Sequence, residues 1–514
     1  MKVVTVEGMR ALDARASAAG ISGYTLMERA GRGALSLMLR VLEQRLPSWS
    51  RQAFTVLAGK GNNGGDAYVV ARGLAEAGQA VVVYAVCAPR ELSGDALAHA
   101  TRLPSAVQVH VVDEIPAASL TPGHVVVDGL LGTGFRGALR PPYVRLLAQV
   151  NASGCPVVAL DIPSGLDGDT GQGAGVAIRA DWTITMGLPK QGLLTPSGLC
   201  HAGGLRCVDL GIPESLLATV PAAGPEAVML SDARALVQRR ARDAYKGSLG
   251  HVLVIGGSRL YSGAPFLAAG GAARAGAGLV TVAIPACCQP LCAVPAAMMV
   301  RRLADDGRGC FGRASTADIA ALAGGRHAIV FGPGLGEAAE GSDVLAQVVG
   351  CGLPLVIDAD GLRLLAAQPS LALAARAAMV LTPHVGEMQV LLRGFGCSVP
   401  PPGGRCEQAQ ALAVASGAVV VLKGPGTVVA SPDGRLAVNT SGSPGLATAG
   451  TGDVLAGVLG ALLGQGLAGW DAARLGVFVH GLAAEVGPGA ERSVTADDVV
   501  ERLAAAWTEI SPLA

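Results

Sequence analysis

An α/β fold in two domains is what this sequence predicts, and three observations predict it. The chain has 514 residues, too many for a single core. Apolar residues make up 51% against 3% aromatics, with 73 Gly, a composition that fills close helix–sheet layers with small side chains. Short apolar strands alternate with helical stretches in two series, and the alternation lapses near residue 220.

The first series opens at Gln52–Val86. "AFTVLAG" reads as a strand, "KGNNGGD" as a turn, "AYVVARGLAEAG" as a helix ending in Gly78, and "QAVVVYAV" as a second strand. That is a βαβ unit. "HVVVDGLLGTG" and "CPVVALDIPSG" are further strands that break into Asp and Gly. "ATVPAAGPEA" holds two prolines and no apolar period, so it reads as a linker. The domains are therefore placed at 1–218 and 231–514, with a linker at 219–230. Ser231 is expected to cap a helix, "SDARALVQRRARD", acid first and arginines last, as the helix dipole prefers. The second series runs through "GHVLVIGGS", "HAIVFGPGLG", "LPLVIDADG", "AAMVLTPHVGE" and "AVVVLKGPGTVV".

Charge and composition exclude some functions. Lys plus Arg and Asp plus Glu are 39 each, so net charge gives no reason to expect a nucleic acid or an anionic membrane as partner. The N-terminus "MKVVTVEGMRALDARASAAG" lacks the apolar core of a signal peptide. The uncharged run Ala275–Val300 is long enough to span a bilayer, but Pro285, Pro290 and Pro295 interrupt it, which predicts strand plus loop. The 11 cysteines lack repeated CxxC pairs, so Cys287, Cys288 and Cys292 of "CCQPLC" are read as ordinary buried thiols in a reducing cytoplasm.

Candidate functional residues gather where strands end, as they do in open parallel sheets. "GKGNNGGD" has the strand–turn–helix context of a dinucleotide fingerprint, but the next strand ends "YAVCAPR", without the ribose-binding acid. Asn62, Asn63 and Asp66 add oriented donors and acceptors; the lesser alternative is a tight turn in which Gly64 and Gly65 only permit positive φ, for which Gly alone would do. Asp128 and Asp161 end strands, and Gly132, Thr133 and Gly134 leave amides open beside Arg136. An acid, an amide and a hydroxyl from three strand ends could converge on a weakly charged hard cation, or the acids could cap the following loops.

"GNNGGD", "VDGLLGTG" and "DIPSGLD", in that order, resemble the NAD(P)H-hydrate epimerase family over most of residues 1–215. The resemblance implies a Rossmann-like αβα sandwich that interconverts R and S forms of hydrated nicotinamide cofactors. It implies that Asn62, Asn63, Gly64, Gly65, Asp66, Gly132, Thr133, Gly134, Phe135, Arg136, Gly137, Ala138 and Asp161 hold the hydrate. It also implies that Asn63, Asp128 and Ser164 bind K⁺, and that Asp161 is the acid–base group at C6 with Lys190 as helper. Ala67 departs from the glycine usual after "GGD".

In the second series, "LKGPGT" puts a lysine and glycines after a strand, a natural phosphate contact. "ATAGTGD" opens a helix with exposed amides, a ready anion site, so Asp453 needs separate work there, as a base on an attacking hydroxyl or simply as a first-turn acid. "VIGGS…YSGAP", "GPGLG", "TPHVGE", "LKGPGT" and "ATAGTGD" together resemble the ADP- or ATP-dependent NAD(P)H-hydrate dehydratases, of ribokinase-like fold, over roughly 230–505. The resemblance implies that Ala264, Gly334, His384 and Asp453 touch the hydrate, that Lys423, Gly424, Pro425, Gly426, Thr427 and Gly452 touch the nucleotide, and that Mg²⁺ assists. Val385 and Ser443 depart from the family's usual Pro and Asn.

The expectation is thus a bifunctional repair enzyme acting on NADHX and NADPHX, with ADP as co-substrate, in the cytoplasm and as a homotetramer. The competing readings are a ribokinase-like vitamin or sugar kinase with an accessory nucleotide-binding domain, and a nucleotide sensor without turnover.

Overall fold

A computed structural model describes residues 1–46, 48–288, 297–398, 404–487 and 491–511. Pro290, Cys292 and Pro295 lie outside the described residues. The chain divides into two compact units, Met1–Met229 and Leu230–Ala514.

The first unit is built on seven strands: β1 (Ala53–Ala58), β2 (Val81–Ala85), β3 (Gln108–Val111), β4 (His124–Gly129), β5 (Val157–Leu160), β6 (Trp182–Met186) and β7 (Gly204–Val208). They pair in parallel in the order β3-β2-β1-β4-β5-β6-β7. The order reverses between β1 and β4, which opens a crevice at their carboxyl ends. Strand periodicity divides the core between the faces: Phe54, Val56, Val125 and Val127 pack on one side, Leu57 and Val126 on the other.

The "GNNGGD" segment differs from expectation. It is not a turn; the helix Asn62–Glu76 starts inside it, with Gly61 as N-cap. Its glycines adopt ordinary helical angles, so positive φ is not their purpose. A Cβ on Gly64 would fall 1.9 Å from the Gly59 carbonyl oxygen, and one on Gly65 2.4 Å from the Met27 sulfur. Close approach of the helix start to its strand is what requires them.

The predicted linker is also partly structured. β8 (Glu226–Val228) forms within it, and Ala227 exchanges backbone hydrogen bonds with Met1 at 2.7 and 2.9 Å. The next helix is Leu230–Leu236, so Ser231 lies inside it rather than capping it. The arginines expected to finish that helix leave it, and Arg240 donates to the Gly276 carbonyl at 2.9 Å.

The second unit contributes β9 (His251–Ile255), β10 (Leu279–Pro285), β11 (Met299–Leu303), β12 (Ala328–Phe331), β13 (Leu355–Ile357), β14 (Met379–Leu381), β15 (Val419–Leu422), β16 (Val428–Ala430) and β17 (Leu436–Asn439). They run in the order β11-β10-β9-β12-β13-β14-β15-β16-β17. The pairs from β11 to β15 are parallel and the last two antiparallel. "AVVVLKGPGTVV" therefore makes two strands, β15 and β16, turning about its lysine and glycines. The helices Ala264–Arg274 and Thr451–Gly464 press together through glycine: a Cβ on Gly457 would sit 1.8 Å from the Ala268 carbonyl oxygen, and one on Gly271 2.2 Å from that of Val454.

The uncharged run is strand plus loop where it is described. No helix among the described residues is long and apolar enough to cross a membrane. The described cysteines are free; Cys288 is buried and Cys287 half-buried.

Candidate active sites

In the first unit a cavity of about 760 Å³ opens at the β1/β4 reversal, between the helix Asn62–Glu76 and the strand ends. It is lined by Asn62, Asn63, Asp66, Gly132, Thr133, Gly134, Phe135, Arg136, Ala138, Asp161 and Lys190, all predicted from sequence. Gly64 and Gly65 stand behind this lining. Gly137, exposed and outside the lining, turns the loop with a φ of 82°.

Asp161 follows β5 with φ 62°, one of two non-glycine residues at positive φ among those described. Such backbone is held only where its surroundings over-determine it. Here the Asp161 amide donates to the Ile184 carbonyl at 2.8 Å. Its carboxylate accepts from Lys190 Nζ at 2.5 Å, the Met186 amide at 3.1 Å and Thr185 Oγ1 at 3.2 Å. Lys190 is buried and also donates to the Met186 carbonyl at 2.9 Å. These contacts anchor the carboxylate at the cavity lining.

Two more carboxyls join it. Burial, then the Asp161 charge, pushes Asp66 well above the usual carboxylate range. Burial likewise raises Asp13 to about 6, with Lys190 opposing and Asp161 adding. Asp13 was not singled out from sequence, yet a signal existed. On the helix Val6–Ala18 the buried stripe is Val6, Met9, Leu12 and Ala16, and Asp13 stands one turn after Met9 on that stripe. Lys60 and Tyr143, also unpredicted, line the same cavity.

Asn63, Asp128 and Ser164 come together beside the cavity. Asp128 is fully buried and raised to about 6 by that burial. It accepts from the Ser164 amide at 2.8 Å and hydroxyl at 2.6 Å, and from the Leu130 amide at 3.2 Å. Asn63 Nδ2 donates to the Leu131 carbonyl at 2.7 Å, while its buried Oδ1 has no hydrogen-bond partner. Asp128 thus does bind loop amides, the ordinary role, and the orphaned Asn63 oxygen is what that role leaves unexplained.

In the second unit a cleft of about 600 Å³ lies at the carboxyl ends of β13, β14 and β15. Asp453 is the third residue of the helix Thr451–Gly464, whose N-cap Gly450 has φ 90°. Burial, then Asp358, pushes Asp453 up to about 7, against the pull of Lys423. Lys423 Nζ contacts Asp358 Oδ1 at 2.7 Å and Glu387 Oε2 at 4.0 Å. Burial opposes its charge, but Asp358, Glu387 and Asp453 together raise its pKa. A Cβ on Gly452 would fall 3.1 Å from Lys423 Nζ, so the glycine keeps open the space between lysine and helix start. Ala359, the other non-glycine residue at positive φ (50°), also lines this cleft. Asp358, unpredicted, was legible as an acid ending the buried run "LVID".

His384 caps the helix Val385–Gly394, accepting from the Gly386 amide at 2.9 Å, while Glu387 reaches back to the His384 amide at 2.8 Å. It lines the cleft as well, with its side chain 60% exposed. Gly424 lines the cleft with Lys423; Pro425, Gly426 and Thr427 do not. Arg405, missed from sequence, holds that loop by donating to the Pro425 and Leu422 carbonyls. Ala264 and Gly334 meet each other, a Gly334 Cβ falling 3.0 Å from that of Ala264, but neither is in the Asp453 cleft lining.

Comparison with known proteins gives matches across both units. The family model described as NAD(P)H-hydrate dehydratase matches residues 252–504, and that described as YjeF-related protein N-terminus matches 23–192. The bifunctional NAD(P)H-hydrate repair enzyme of Coxiella burnetii is 38% identical over 96% of this chain and 97% of its own. Those of Thermofilum pendens and Escherichia coli are 39% and 37% identical, over 95% and 91% of this chain and 92% and 86% of theirs. Among solved structures, the ADP/ATP-dependent NAD(P)H-hydrate dehydratase of Bacillus subtilis is 26% identical over 56% of this chain and all of its own, with a TM-score of 0.47.

Proposed function

The chain belongs to the bifunctional NAD(P)H-hydrate repair enzymes, an NAD(P)H-hydrate epimerase joined to a nucleotide-dependent dehydratase, and from that premise we propose how its two sites divide the work. The first unit, Rossmann-like, epimerises the hydrate. The second, ribokinase-like, dehydrates the S form with ADP as phosphoryl donor. The observation that carries this division is that each unit holds a strained strand end beside a buried lysine–aspartate pair, Asp161–Lys190 in one and Asp358–Lys423 in the other.

In the first cavity the hydrate ring lies against Asn62, Asp66 and the Gly132–Ala138 loop. Asp161, paired with Lys190, exchanges a proton at the C6 hydroxyl. Asn63, Asp128 and Ser164 offer oxygens and one buried carboxylate, and the partnerless Asn63 Oδ1 fits K⁺. Bound there, K⁺ would supply a fixed positive charge beside the hydrate.

In the second cleft Asp453 takes the proton of the C6 hydroxyl as its oxygen bonds the terminal phosphorus of ADP and AMP leaves. The amides at Gly450–Asp453 and the ammonium of Lys423 face the charge gathering on the transferred group. Phosphate then departs from C6 with its bonding pair, a proton leaves C5, and the dihydronicotinamide is restored. Among the described residues no group of three His, Cys, Asp or Glu could cage a metal, so Mg²⁺ is assigned to the nucleotide phosphates. Family resemblance supports ADP over ATP, a homotetramer and a cytoplasmic location, which nucleotide competition, light scattering and cell fractionation test.

The decisive assay mixes R and S hydrate with the protein, with and without ADP and K⁺. Dihydronicotinamide absorbance should return completely with both. Without K⁺ the S form should be repaired first and the R form slowly. Absence of any return, with phosphorylation of an alcohol vitamin instead, would sink the proposal.

A further inference from the structure

Asp161 and Lys190 leave one requirement of epimerisation unmet. Inverting a centre that carries a hydroxyl calls for a proton donor as well as an acceptor, and a carboxylate paired with Lys190 supplies only the acceptor. Besides Asp66, the cavity is lined by a carboxyl from another element, Asp13.

Asp13 sits on the helix Val6–Ala18, which is locked to the loop carrying Lys190. Val4 forms a β-bridge with Lys190. Its amide donates to the Pro189 carbonyl at 3.0 Å, and its carbonyl accepts from the Gln191 amide at 3.0 Å. Asp169 accepts from the Val6 amide at 2.7 Å, and Thr5 caps the helix. Met9 seats against Gly187, where a Cβ would fall 2.8 Å from its Cε. One turn on, Asp13 reaches the cavity lining. It makes no hydrogen bond or ion pair among the described residues, so nothing structural accounts for an acid on an otherwise apolar stripe.

We propose that Asp13 is the proton donor of the epimerisation, acting with Asp161 in the same cavity. The inference rests on the epimerase reading of this cavity. Asp13 gives its proton to the C6 hydroxyl as the C6–O bond breaks, the electron pair leaving with oxygen as water and the ring-nitrogen lone pair closing onto C6. Water then adds to the other face of C6, and its proton passes to the Asp161 carboxylate. One proton has moved from Asp13 to Asp161, and exchange with solvent resets the pair; the reverse reaction uses the two in exchanged roles. The charges acting on Asp13 are Lys190 and Asp161 from beyond β6 and β5, with Asp66 of the helix Asn62–Glu76 coupled to it, and Arg10, Lys60, Asp95, Arg136 and Arg140 line the same cavity. Burial among them raises its carboxyl to about 6, so the protonated form is held to a higher pH than an exposed aspartate allows.

The test uses the full chain. R-to-S equilibration is followed by chromatography without ADP, and S-hydrate dehydration with ADP in the same preparation reports the integrity of the other site. Asp13→Asn should slow equilibration by about 100-fold or more in kcat and lose the alkaline limb of its pH profile, with dehydration unchanged. Asp13→Glu should recover part of the rate and keep that limb. The assignment is overturned if Asp13→Asn epimerises within about threefold of wild type, or if its loss lies in KM with kcat and the pH profile intact. A wild-type chain that epimerises no hydrate would overturn the epimerase reading, and this assignment with it.

Discussion

Asp453 combines two properties that pull against each other. Its carboxyl is most useful as a base near neutral pH, and burial has placed it there, at about 7. Dehydration is therefore expected to rise with pH through about 7 and level off above, as initial rates at saturating ADP would show. The same shift costs stability. A carboxyl whose folded pKa lies above its unfolded value, about 3.9, binds more protons folded than unfolded between the two, so stability falls as pH rises through that window. Asp453→Asn should lose dehydration by orders of magnitude, keep ADP binding, and unfold at higher urea than wild type at about pH 8. The gain is on the order of 1–3 kcal/mol, shrinking to nothing near pH 4. Lys190→Met runs the other way. It strands a nearly buried Asp161 carboxylate, so roughly 3–5 kcal/mol of stability should go with R-hydrate repair; unchanged unfolding and unchanged epimerisation would contradict the pairing.

Elements position these residues through backbone contact more than through side-chain packing. The helix Asn62–Glu76 touches β1's end because Gly64 has no Cβ, and the helix Thr451–Gly464 lies on its neighbour because Gly457 has none. Gly64→Ala should unfold or badly destabilise the first unit, because a backbone carbonyl cannot move aside. Gly61→Ala, three residues earlier with nothing within 4 Å, should leave the first unit folded, at a cost of about 1 kcal/mol or less for the poorer N-cap. Gly452→Ala is the informative intermediate. The new methyl meets only the flexible end of Lys423, so the fold should survive while ADP binding, measured by calorimetry, weakens by about tenfold or more. Equal behaviour of the three variants would show that the glycines act through flexibility alone.

Over the whole molecule the proposed division gives each unit its own reaction. Asp161→Asn should stop R-hydrate repair and leave S-hydrate repair at the wild-type rate; loss of both would mean that the sites are coupled. Much of this division was legible in the sequence. Apolar runs ending in Asp or Gly marked β1, β4, β5, β9, β12, β13 and β15, and Asp161, Lys190, Lys423 and Asp453 were each named from their motifs. Local pattern suffices for these because strand period, turn chemistry and helix-start amides are properties of a few neighbouring residues. Other features depended on contacts distant in sequence. The glycines of "GNNGGD" proved to serve close approach rather than a turn, Asp358 proved to be the partner of Lys423, 65 residues away, and Asp13 proved to share a cavity with Asp161. The sequence by itself determined which residue types end which strands. The tertiary structure alone decided which of those ends meet, and so which carboxyls lose their water and have their pKa raised toward neutrality, because desolvation belongs to the assembled site and not to any stretch of chain.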